Sequence, residues 1–336
     1  MNREERKGFS LWLDFIERDF LQKEFERLIE EGTVCGATSN PSIFAQAIGS
    51  SPAYKEALKK LEGLAPKAKY EALAVEDIRL AARKLREIYD EGDDGYISLE
   101  VDPFLANDTR GTLEEARRLF KEIDAPNVMI KVPATEAGYP VMRELLADGI
   151  SVNATLIFSP AQARACLDAM KAGIDEFEST GGTRVEGVIS VFVSRFDRML
   201  DPILEEKGLP TSRTGIMNAA KIYAMIEANR TPSIRTLFAS TGVKAGQPLP
   251  ADYYIRELYA PHAVNTAPLE TIRAYVAGGE PQKSPLPLPA EEIDAYFQTL
   301  EEHGIEMEQV YRQLMEEGVE AFQKAFESLL KQLENT

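Results

Sequence analysis

A lysine stands in the sequence where a buried strand is expected. In "NVMIKVPATEAG", residues 127–138, Lys131 follows the apolar run 128–130 and precedes Val132 and Pro133. Its stem can cover apolar surface while the ammonium reaches water, or it can sit in a pocket as a neutral, nucleophilic amine. The segment alone favours the first interpretation, because lysines are mostly exposed.

Polar residues also end the seven other apolar runs of the chain. They are Asp14, Ser39 and Asn40, Glu100 and Asp102, Asn153 and Thr155, Ser190, Ser240 and Thr241, and Asn265. Polar groups buried together without partners would cost several kcal/mol, so we expect them to converge on one another or on a ligand. One lysine among carboxylates and hydroxyls indicates a site for an amine nucleophile.

Some of these positions also have a purely structural interpretation. Asn40 and Pro41 could simply start a turn and a helix, with Ser39 or Asn40 as the N-cap. Glu100 and Asp102 could form a solvated strand edge, although two acids within an apolar run argue against it. Ser190 could simply fill space in a core.

Eight short apolar runs must position these residues. They are 11–15, 33–39, 96–101, 127–133, 150–157, 187–194, 236–241 and 262–267, separated by longer charged segments with helical spacing. Continuous apolar strands alternating with helices predict an α/β fold with a parallel sheet buried on both faces. Eight such units favour a closed (β/α)₈ barrel, or TIM barrel, whose chemistry lies at the carboxyl ends of the strands. An open doubly wound sheet is the alternative, but no GxGxxG follows the first run.

Two segments are longer than a barrel crossover requires. Residues 53–91 predict two or three helices broken near 63–66. The tail, residues 289–334, carries apolar residues at helical spacings and predicts helices packed on the outside of the barrel or over its mouth. We expect residues 1–336 to form a single barrel domain with this helical tail packed on it.

The composition is that of an ordinary globular enzyme. Of 336 residues, 44% are hydrophobic and 28% are charged, which is too apolar for disorder. The net charge of −17 argues against nucleic-acid or anionic-membrane partners, so an anionic substrate would need a local basic pocket. No apolar stretch is long enough for a signal peptide or a membrane span, which predicts a cytoplasmic protein.

Other kinds of catalytic site find little support in the sequence. Cys35 and Cys166 form no CxxC, and His262 and His303 are the only histidines, so neither a zinc site nor a disulfide framework is indicated. Both cysteines and His262 are interpreted as structural. Neither histidine lies by a nucleophile-elbow sequence, and no glycine-rich P-loop occurs. A carboxylate pair for glycoside hydrolysis would leave Lys131 unexplained.

Seven short motifs occur in order along the chain. They are "WLD" at 12–14, "TSNPSIF" at 38–44, "SLEVDP" at 98–103, "IKVPAT" at 130–135, "GISVNATLIFS" at 149–159, "ISVFVSRFD" at 189–197 and "FASTGVK" at 238–244. Together they resemble the transaldolase family, and "APHAVNTAP" at 260–268 is similar to its longer bacterial branch.

That resemblance implies a class I (β/α)₈ barrel enzyme of the non-oxidative pentose phosphate pathway. Such an enzyme moves a dihydroxyacetone unit from sedoheptulose 7-phosphate or fructose 6-phosphate to glyceraldehyde 3-phosphate or erythrose 4-phosphate. Sugar phosphates are its expected partners, without a metal or cofactor, and a monomer or homodimer is expected.

The resemblance also implies catalytic roles for four residues. Lys131 would form the imine with the ketose carbonyl. Glu100 and Thr155 would hold and activate the water used in dehydration and hydrolysis. Asp14 would take the proton of the C4 hydroxyl when the carbon–carbon bond breaks. Burial at the barrel end would disfavour the charged ammonium of Lys131, as a nucleophilic amine requires.

Substrate-binding roles follow from the same resemblance. Residues implied in holding the hydroxyls of the dihydroxyacetone unit are Asn40, Asn153 and Ser190. Arg195 and Ser240 match phosphate-binding positions. The family's better-known branch has a second arginine two residues after the serine, where this chain has Gly242, and Lys244 is a candidate to supply the missing charge.

Two rival functions remain open from the sequence. Fructose-6-phosphate aldolases, shorter relatives that release free dihydroxyacetone, carry glutamine where Glu100 stands and tyrosine where Phe192 stands. The two residues of this chain therefore favour transfer, and Phe192 is counted among the substrate-binding positions. A non-catalytic sugar-phosphate-binding barrel would have to bury Lys131, Glu100 and Asp14 for no purpose.

Overall fold

A closed barrel of eight parallel strands forms the centre of the computed structural model, which describes residues 8–92, 94–244 and 247–334. The strands follow chain order around the barrel, and the last pairs with the first. They are β1 (Ser10–Asp14), β2 (Gly36–Thr38), β3 (Ile97–Glu100), β4 (Val128–Pro133), β5 (Val152–Ile157), β6 (Gly187–Phe192), β7 (Ile234–Ala239) and β8 (Ala263–Ala267). Each predicted run overlaps one of these strands, so the predicted (β/α)₈ fold is confirmed.

Helices connect the strands and extend beyond the last one. In the described residues the α-helices are α1 (Arg18–Gln22), α2 (Glu24–Glu30), α3 (Pro41–Ser50), α4 (Lys55–Lys60), α5 (Pro66–Lys84), α6 (Arg86–Asp90), α7 (Thr109–Ile123), α8 (Gly138–Ala147), α9 (Pro160–Ser179), α10 (Ser194–Glu206), α11 (Thr214–Ala228), α12 (Tyr253–Glu257), α13 (Leu269–Gly278), α14 (Ala290–Glu302) and α15 (Met307–Glu334). Two 3₁₀ turns lie at Pro52–Tyr54 and Pro103–Leu105.

The alternation of side chains along each strand separates the barrel interior from the helix layer. Met129 packs in one apolar cluster with Trp12, whereas Ile130 packs in the cluster shared with the surrounding helices. Because side chains two residues apart on a strand share a face, Lys131 points to the same side as Met129. Asp14 stands in the same relation to Trp12. The interior therefore has an apolar layer at Trp12 and Met129 and becomes polar at the carboxyl ends of the strands.

The pairing register brings three polar residues side by side. Glu100 on β3 lies opposite Lys131 on β4, and Lys131 lies opposite Asn153 on β5. Paired residues of neighbouring parallel strands point to the same face of the sheet. The barrel backbone itself therefore fixes the separation of these three side chains.

Strand β5 is irregular immediately after Thr155. Its pairing with β6 shifts register between Ala154 and Ile157, and Leu156 has a φ of 59°. A leucine in the left-handed region is strained backbone, and bulges beside active sites re-aim side chains. We infer that this irregularity sets the direction of the Thr155 side chain.

The long helical segment after β2 breaks where the sequence predicted. Helix α4 ends at Lys60 and α5 begins at Pro66. Gly63, between them, has a φ of +85°, which glycine adopts without strain. Pro66 occupies the first turn of α5, where a missing N–H removes no helical hydrogen bond.

The C-terminal tail ends in the 28-residue helix α15, which packs against α3, α5, α10 and strand β5. Phe326 meets the ring of Tyr70 edge-on at 5.2 Å between centroids. Near the end of the helix, Lys69 Nζ donates to the Leu333 carbonyl oxygen at 3.0 Å. These contacts support our proposal that tail and barrel form one domain.

A buried ion pair holds the opposite end of the barrel. Arg235, near the start of β7, places Nη2 3.1 Å from Asp94 Oδ1, and its Nη1 donates to Ser10 Oγ at 2.9 Å. Both charged side chains are almost fully buried. Buried charges require such pairing, so Asp94 and Arg235 tie the segment before β3 to β7 and β1.

No helix within the described ranges is both long and apolar enough to cross a membrane.

Candidate active site

Lys131 lies at the carboxyl end of β4 with its amine inside the barrel mouth. The residue is only 5% exposed. Its Nζ donates to the Ser39 carbonyl oxygen at 3.1 Å and lies 3.6 Å from Glu100 Oε2. The second distance suits an ion pair but is long for a hydrogen bond. This amine does not reach out to bulk water along an apolar surface, as the structural interpretation of Lys131 would require.

Glu100 is buried beside this amine and shares its environment with a second polar group lacking a partner. Burial raises the pKa of Glu100 from its ordinary value of 4.5 to about 7, although the neighbouring Lys131 lowers it; the Asp14 carboxylate adds to the rise. Within the described chain, neither Glu100 carboxylate oxygen nor Thr155 Oγ1 has a hydrogen-bond partner. Buried polar atoms of this kind are candidates to bind water or a reacting group.

Asp14, at the end of β1, is oriented by two threonines. Thr38 Oγ1 donates to Asp14 Oδ1 at 2.7 Å, and the Thr38 and Thr266 hydroxyls lie 2.7 Å apart. Because Thr38 has one hydroxyl proton and gives it to Asp14, Thr266 must donate to Thr38. Strands β1, β2 and β8 thus combine to fix one carboxylate at the barrel mouth.

Asn153 and Ser190 form a buried hydrogen-bond chain. Ser190 Oγ donates to Asn153 Oδ1 at 2.6 Å, and Asn153 Nδ2 donates to Ser98 Oγ at 3.0 Å. Asn40 caps α3, since its Oδ1 accepts from the Ile43 backbone N–H at 3.0 Å. The capping prediction for Asn40 is confirmed, and the same residue also borders the cavity described next.

A cavity of about 170 Å³ opens above these residues. Its described lining residues are Asp14, Thr38, Asn40, Ser42, Lys131, Ser190, Phe192, Arg195, Ala239, Ser240, Thr241, Gly242, Lys244, Thr266, Pro268 and Phe322. Glu100, Asn153 and Thr155 are buried and do not line this cavity. Lys131 therefore borders the cavity while its amine also pairs with a carboxylate that is not part of the lining.

Cations and hydroxyls gather at one side of the cavity. Arg195 lies in the first turn of α10, and Ser240 Oγ is 2.9 Å from Ser194 Oγ. The positive end of a helix dipole and a nearby guanidinium both favour an anion. Lys244 is exposed and contributes a second cation to the lining. This side is suited to bind a phosphate group.

Arg195 is held against aromatic rings and not by a carboxylate. Its Cζ lies 5.0 Å from the ring centroid of Phe192 and 6.0 Å from that of Phe158. In the described part of the chain no carboxylate comes within 4.0 Å of its guanidinium. Burial and the neighbouring Arg198 lower the pKa of Arg195 to about 10, so it remains charged at neutral pH. A guanidinium without an internal partner is available to an anionic ligand.

One strand-end prediction is corrected by the structure. Asp102 does not join the other polar residues, because β3 ends at Glu100 and Asp102 caps the following 3₁₀ turn by accepting from the Phe104 N–H. Its other carboxylate oxygen pairs with Lys67 at 2.6 Å. Asn265 accepts from Thr241 Oγ1 at 2.8 Å, so it contacts another residue of the predicted set as expected, although it does not line the cavity itself.

His262 and the cysteines lie outside the cavity lining. The buried His262 places Nδ1 2.8 Å from Glu227 Oε1, as a structural histidine would. Cys166 is fully buried, and Cys35 is partly buried with a free thiol. Among residues 8–92, 94–244 and 247–334, no cluster of three or more histidine, cysteine or carboxylate side chains could hold a metal ion.

Comparison with known proteins places this chain in a family. The family described as Transaldolase/Fructose-6-phosphate aldolase matches residues 11–333. The chain belongs to this family. A protein named Transaldolase from Campylobacter jejuni is 47% identical over 334 residues, covering 97% of this chain and all of the relative. One of the same name from Helicobacter pylori is 44% identical over 324 residues, covering 96% and 98%.

A solved structure of an uncharacterized protein from Clostridium thermocellum covers 82% of this chain and 95% of its own, at 9% identity with a TM-score of 0.37. That likeness is too weak to carry an argument.

Several lining residues of this family member were not singled out from the sequence. Thr38 and Thr266 lie within the strand runs 33–39 and 262–267. Because alternate residues of a strand share a face, the period-two pattern of these runs could have indicated that both threonines point into the barrel, as Trp12 does. Phe322 was counted only as an apolar residue of the tail. Its place above Lys131 depends on how α15 packs across the barrel, which helical spacing alone does not specify.

Proposed function

We propose that the protein is a transaldolase that carries a dihydroxyacetone unit on Lys131 as a Schiff base. The observation that supports this most directly is a buried amine at the end of β4, 3.6 Å from a carboxylate and open to a cavity with cations at one side. Family membership supports the reaction class, and the relatives named Transaldolase support transfer.

Imine formation begins at the Lys131 amine. The amine attacks the carbonyl carbon of a ketose phosphate and forms a carbinolamine, which loses water to give an iminium. The water leaves, and later returns, through Glu100 and Thr155, whose buried oxygens have no hydrogen-bond partner within the described chain. A carboxyl group with a pKa of about 7 can both give and accept a proton near neutrality.

Carbon–carbon cleavage then uses Asp14. Its carboxylate takes the proton of the C4 hydroxyl, the bond between C3 and C4 breaks, and the aldose phosphate leaves. The electron pair moves into the iminium and leaves an enamine on Lys131. The enamine carbon then attacks the aldehyde carbon of an acceptor aldose phosphate, and Asp14 returns the proton to the new hydroxyl. Hydrolysis of the resulting iminium frees the new ketose phosphate.

Substrate binding divides between hydroxyl and phosphate groups. Asn40 and Ser190 border the cavity near Lys131 and would bind hydroxyls of the three-carbon unit, with Asn153 orienting Ser190 from below. Arg195 and Ser240 would bind the phosphate, and Lys244 would add a second charge.

Fructose-6-phosphate aldolase activity is the second candidate, since the family name covers both reactions. The residues at 100 and 192 favour transfer, because this chain carries glutamate and phenylalanine where the resemblance gives the aldolases glutamine and tyrosine.

A coupled assay with fructose 6-phosphate distinguishes the two. With erythrose 4-phosphate present, we expect continuous release of glyceraldehyde 3-phosphate. Without an acceptor, we expect one equivalent per enzyme followed by very slow release, because the enamine has no aldehyde to attack. Equal steady rates with and without acceptor would favour the aldolase, and no product in either assay would contradict both.

Borohydride trapping tests the role of Lys131. Fructose 6-phosphate should add a three-carbon, borohydride-stable mass to the peptide containing residues 127–138. Lys131→Met keeps the packing of the stem, and Lys131→Arg keeps the charge, but neither can form the imine, so both should fold and lose turnover by many orders of magnitude. An active arginine variant, or labelling of another lysine, would overturn the mechanism.

A further inference from the structure

A single side chain of the C-terminal helix covers the proposed nucleophile. The ring centroid of Phe322 lies 5.8 Å from Lys131 Nζ, and Phe322 is 6% exposed. Among the described residues of α15, Phe322 alone lines the cavity. The open side of Lys131 is therefore bordered by an aromatic ring that the barrel itself does not supply.

The ring is held in place by contacts elsewhere along the helix. One turn further on, Phe326 packs against Tyr70. The adjacent Gln323 donates from Nε2 to the Pro103 carbonyl oxygen at 3.2 Å. One turn earlier, Gly318 lies against Leu156. The helix position thus depends on many contacts besides the Phe322 ring, and truncating that ring would open space beside Lys131 without undocking the helix.

The ring and the buried carboxylate differ in their access to the cavity. Glu100 and Thr155 do not line the cavity, whereas Phe322 borders it. Water that hydrolyses a finished product can come from the Glu100 side. Solvent from the cavity side meets an apolar ring, which also favours a neighbouring iminium through its π face.

We infer that Phe322 is a specificity-determining residue that sets the balance between transfer of the three-carbon unit and its release as free dihydroxyacetone. This inference rests on the proposed transaldolase function. Release from the waiting enamine needs a proton on its carbon from solvent, followed by addition of water to the iminium and cleavage of its carbon–nitrogen bond. That route gives dihydroxyacetone and the free lysine amine. The ring occupies space that solvent needs for the first of these steps.

The test measures free dihydroxyacetone per molecule of sedoheptulose 7-phosphate formed from fructose 6-phosphate and erythrose 4-phosphate. We expect this ratio to rise at least about tenfold in Phe322→Ala and by an intermediate amount in Phe322→Leu, which keeps part of the apolar bulk. If the alanine variant does not fold, the leucine variant decides the question, and an unchanged ratio there would overturn the inference.

Leu329→Ala is the matched control. It truncates a buried apolar side chain of α15 that lines neither this cavity nor the small cavity beside Glu100. We expect a lower melting temperature and an unchanged ratio, whereas an equal rise in both variants would show that Phe322 acts only by docking the helix. Transfer by the wild-type protein with unchanged ratios in both Phe322 variants would overturn this inference alone. Absence of transfer by the wild-type protein would overturn the proposed function as well.

Discussion

Glu100 sits in an environment that makes its protonation sensitive to pH near neutrality. Burial raises the pKa of its carboxyl group to about 7, so the fraction ionised increases as the pH rises from 6 to 8. If the carboxylate form accepts the proton of water during imine hydrolysis, kcat/KM should rise over the same interval. A pH profile with fructose 6-phosphate and erythrose 4-phosphate measures this directly.

Glu100→Gln keeps the shape of the side chain and removes its ionisation. We expect kcat to fall by about 10²-fold or more, the usual contribution of a general acid or base, and the rise near pH 7 to disappear. A variant that keeps the wild-type profile would assign the titration to another group.

Arg195 is more buried than Lys244, and we expect it to contribute more to phosphate binding. Arg195 is largely enclosed and has no carboxylate partner among the described residues, whereas Lys244 is exposed to screening by salt. Arg195→Ala should raise KM for fructose 6-phosphate by at least about tenfold, a loss of roughly 1.4 kcal/mol. Lys244→Ala should give a smaller rise. Arg198→Ala, an exposed position on the same helix, should leave KM unchanged, and a similar rise there would point to general charge effects.

Most of the polar set was predictable because parallel strands bring their carboxyl ends to one rim. Asp14, Lys131 and Ser190 reach the cavity for this reason. Asp102 was placed wrongly because β3 ends two residues earlier, and past a strand end the alternation no longer fixes a side chain's direction. The exclusion of the buried Glu100 from the cavity lining also depends on barrel geometry that spacing in the chain does not specify.

Helix α15 approaches the barrel closely because it carries a glycine at the contact. A Cβ atom at Gly318 would lie 3.1 Å from Leu156 Cδ2 and 3.3 Å from Arg195 Nη1. Gly318→Ala should therefore displace the arginine by a few tenths of an ångström and raise KM for the phosphorylated donor about threefold. Replacing a helical glycine by alanine gains about 1 kcal/mol of helix propensity, so we expect little loss of stability.

Kinetics and urea unfolding of Gly318→Ala test whether KM rises while stability is kept. Gln313→Ala, on the exposed face of the same helix, should change neither KM nor stability appreciably. An unchanged KM in Gly318→Ala would mean that the guanidinium relaxes without cost.

The order and type of the elements were more predictable than their mutual packing. Eight strand runs, the break between α4 and α5, and a helical tail all follow from local pattern, glycine and proline. The position of α15 follows from contacts with α3 and α5, which lie more than two hundred residues earlier in the chain. The apolar run 150–157 has the pattern of a regular strand, so the irregularity at Leu156 could not be predicted from it.

Stability and catalysis are assigned to opposite ends of the barrel. The buried pair of Asp94 and Arg235 lies near the amino ends of the strands, far from the carboxyl ends that carry Lys131. Asp94→Asn would remove the carboxylate that pairs directly with the buried Arg235 guanidinium, and we expect a loss of about 3–5 kcal/mol in the free energy of unfolding. Activity per folded molecule should be unchanged.

Urea unfolding with an activity assay measures both quantities. Asp90→Asn breaks the exposed pair with Arg86 and should cost less than about 1 kcal/mol. Equal losses in the two variants would indicate that the Asp94 pair is as weakly coupled to folding as a surface contact.

The residues around the proposed nucleophile and those proposed to bind phosphate lie on different kinds of secondary structure. Lys131, Glu100 and Asn153 stand on strands that are hydrogen-bonded to one another, whereas Arg195, Ser240 and Lys244 follow the strands on a helix start and a loop. Loops accept insertion and substitution far more readily than barrel strands do. Under the proposed mechanism, descendants of this chain could therefore change the sugar phosphate they accept by altering the segments after β6 and β7 while inheriting the proposed imine chemistry intact. Directed evolution toward new acceptors is best confined to those two segments.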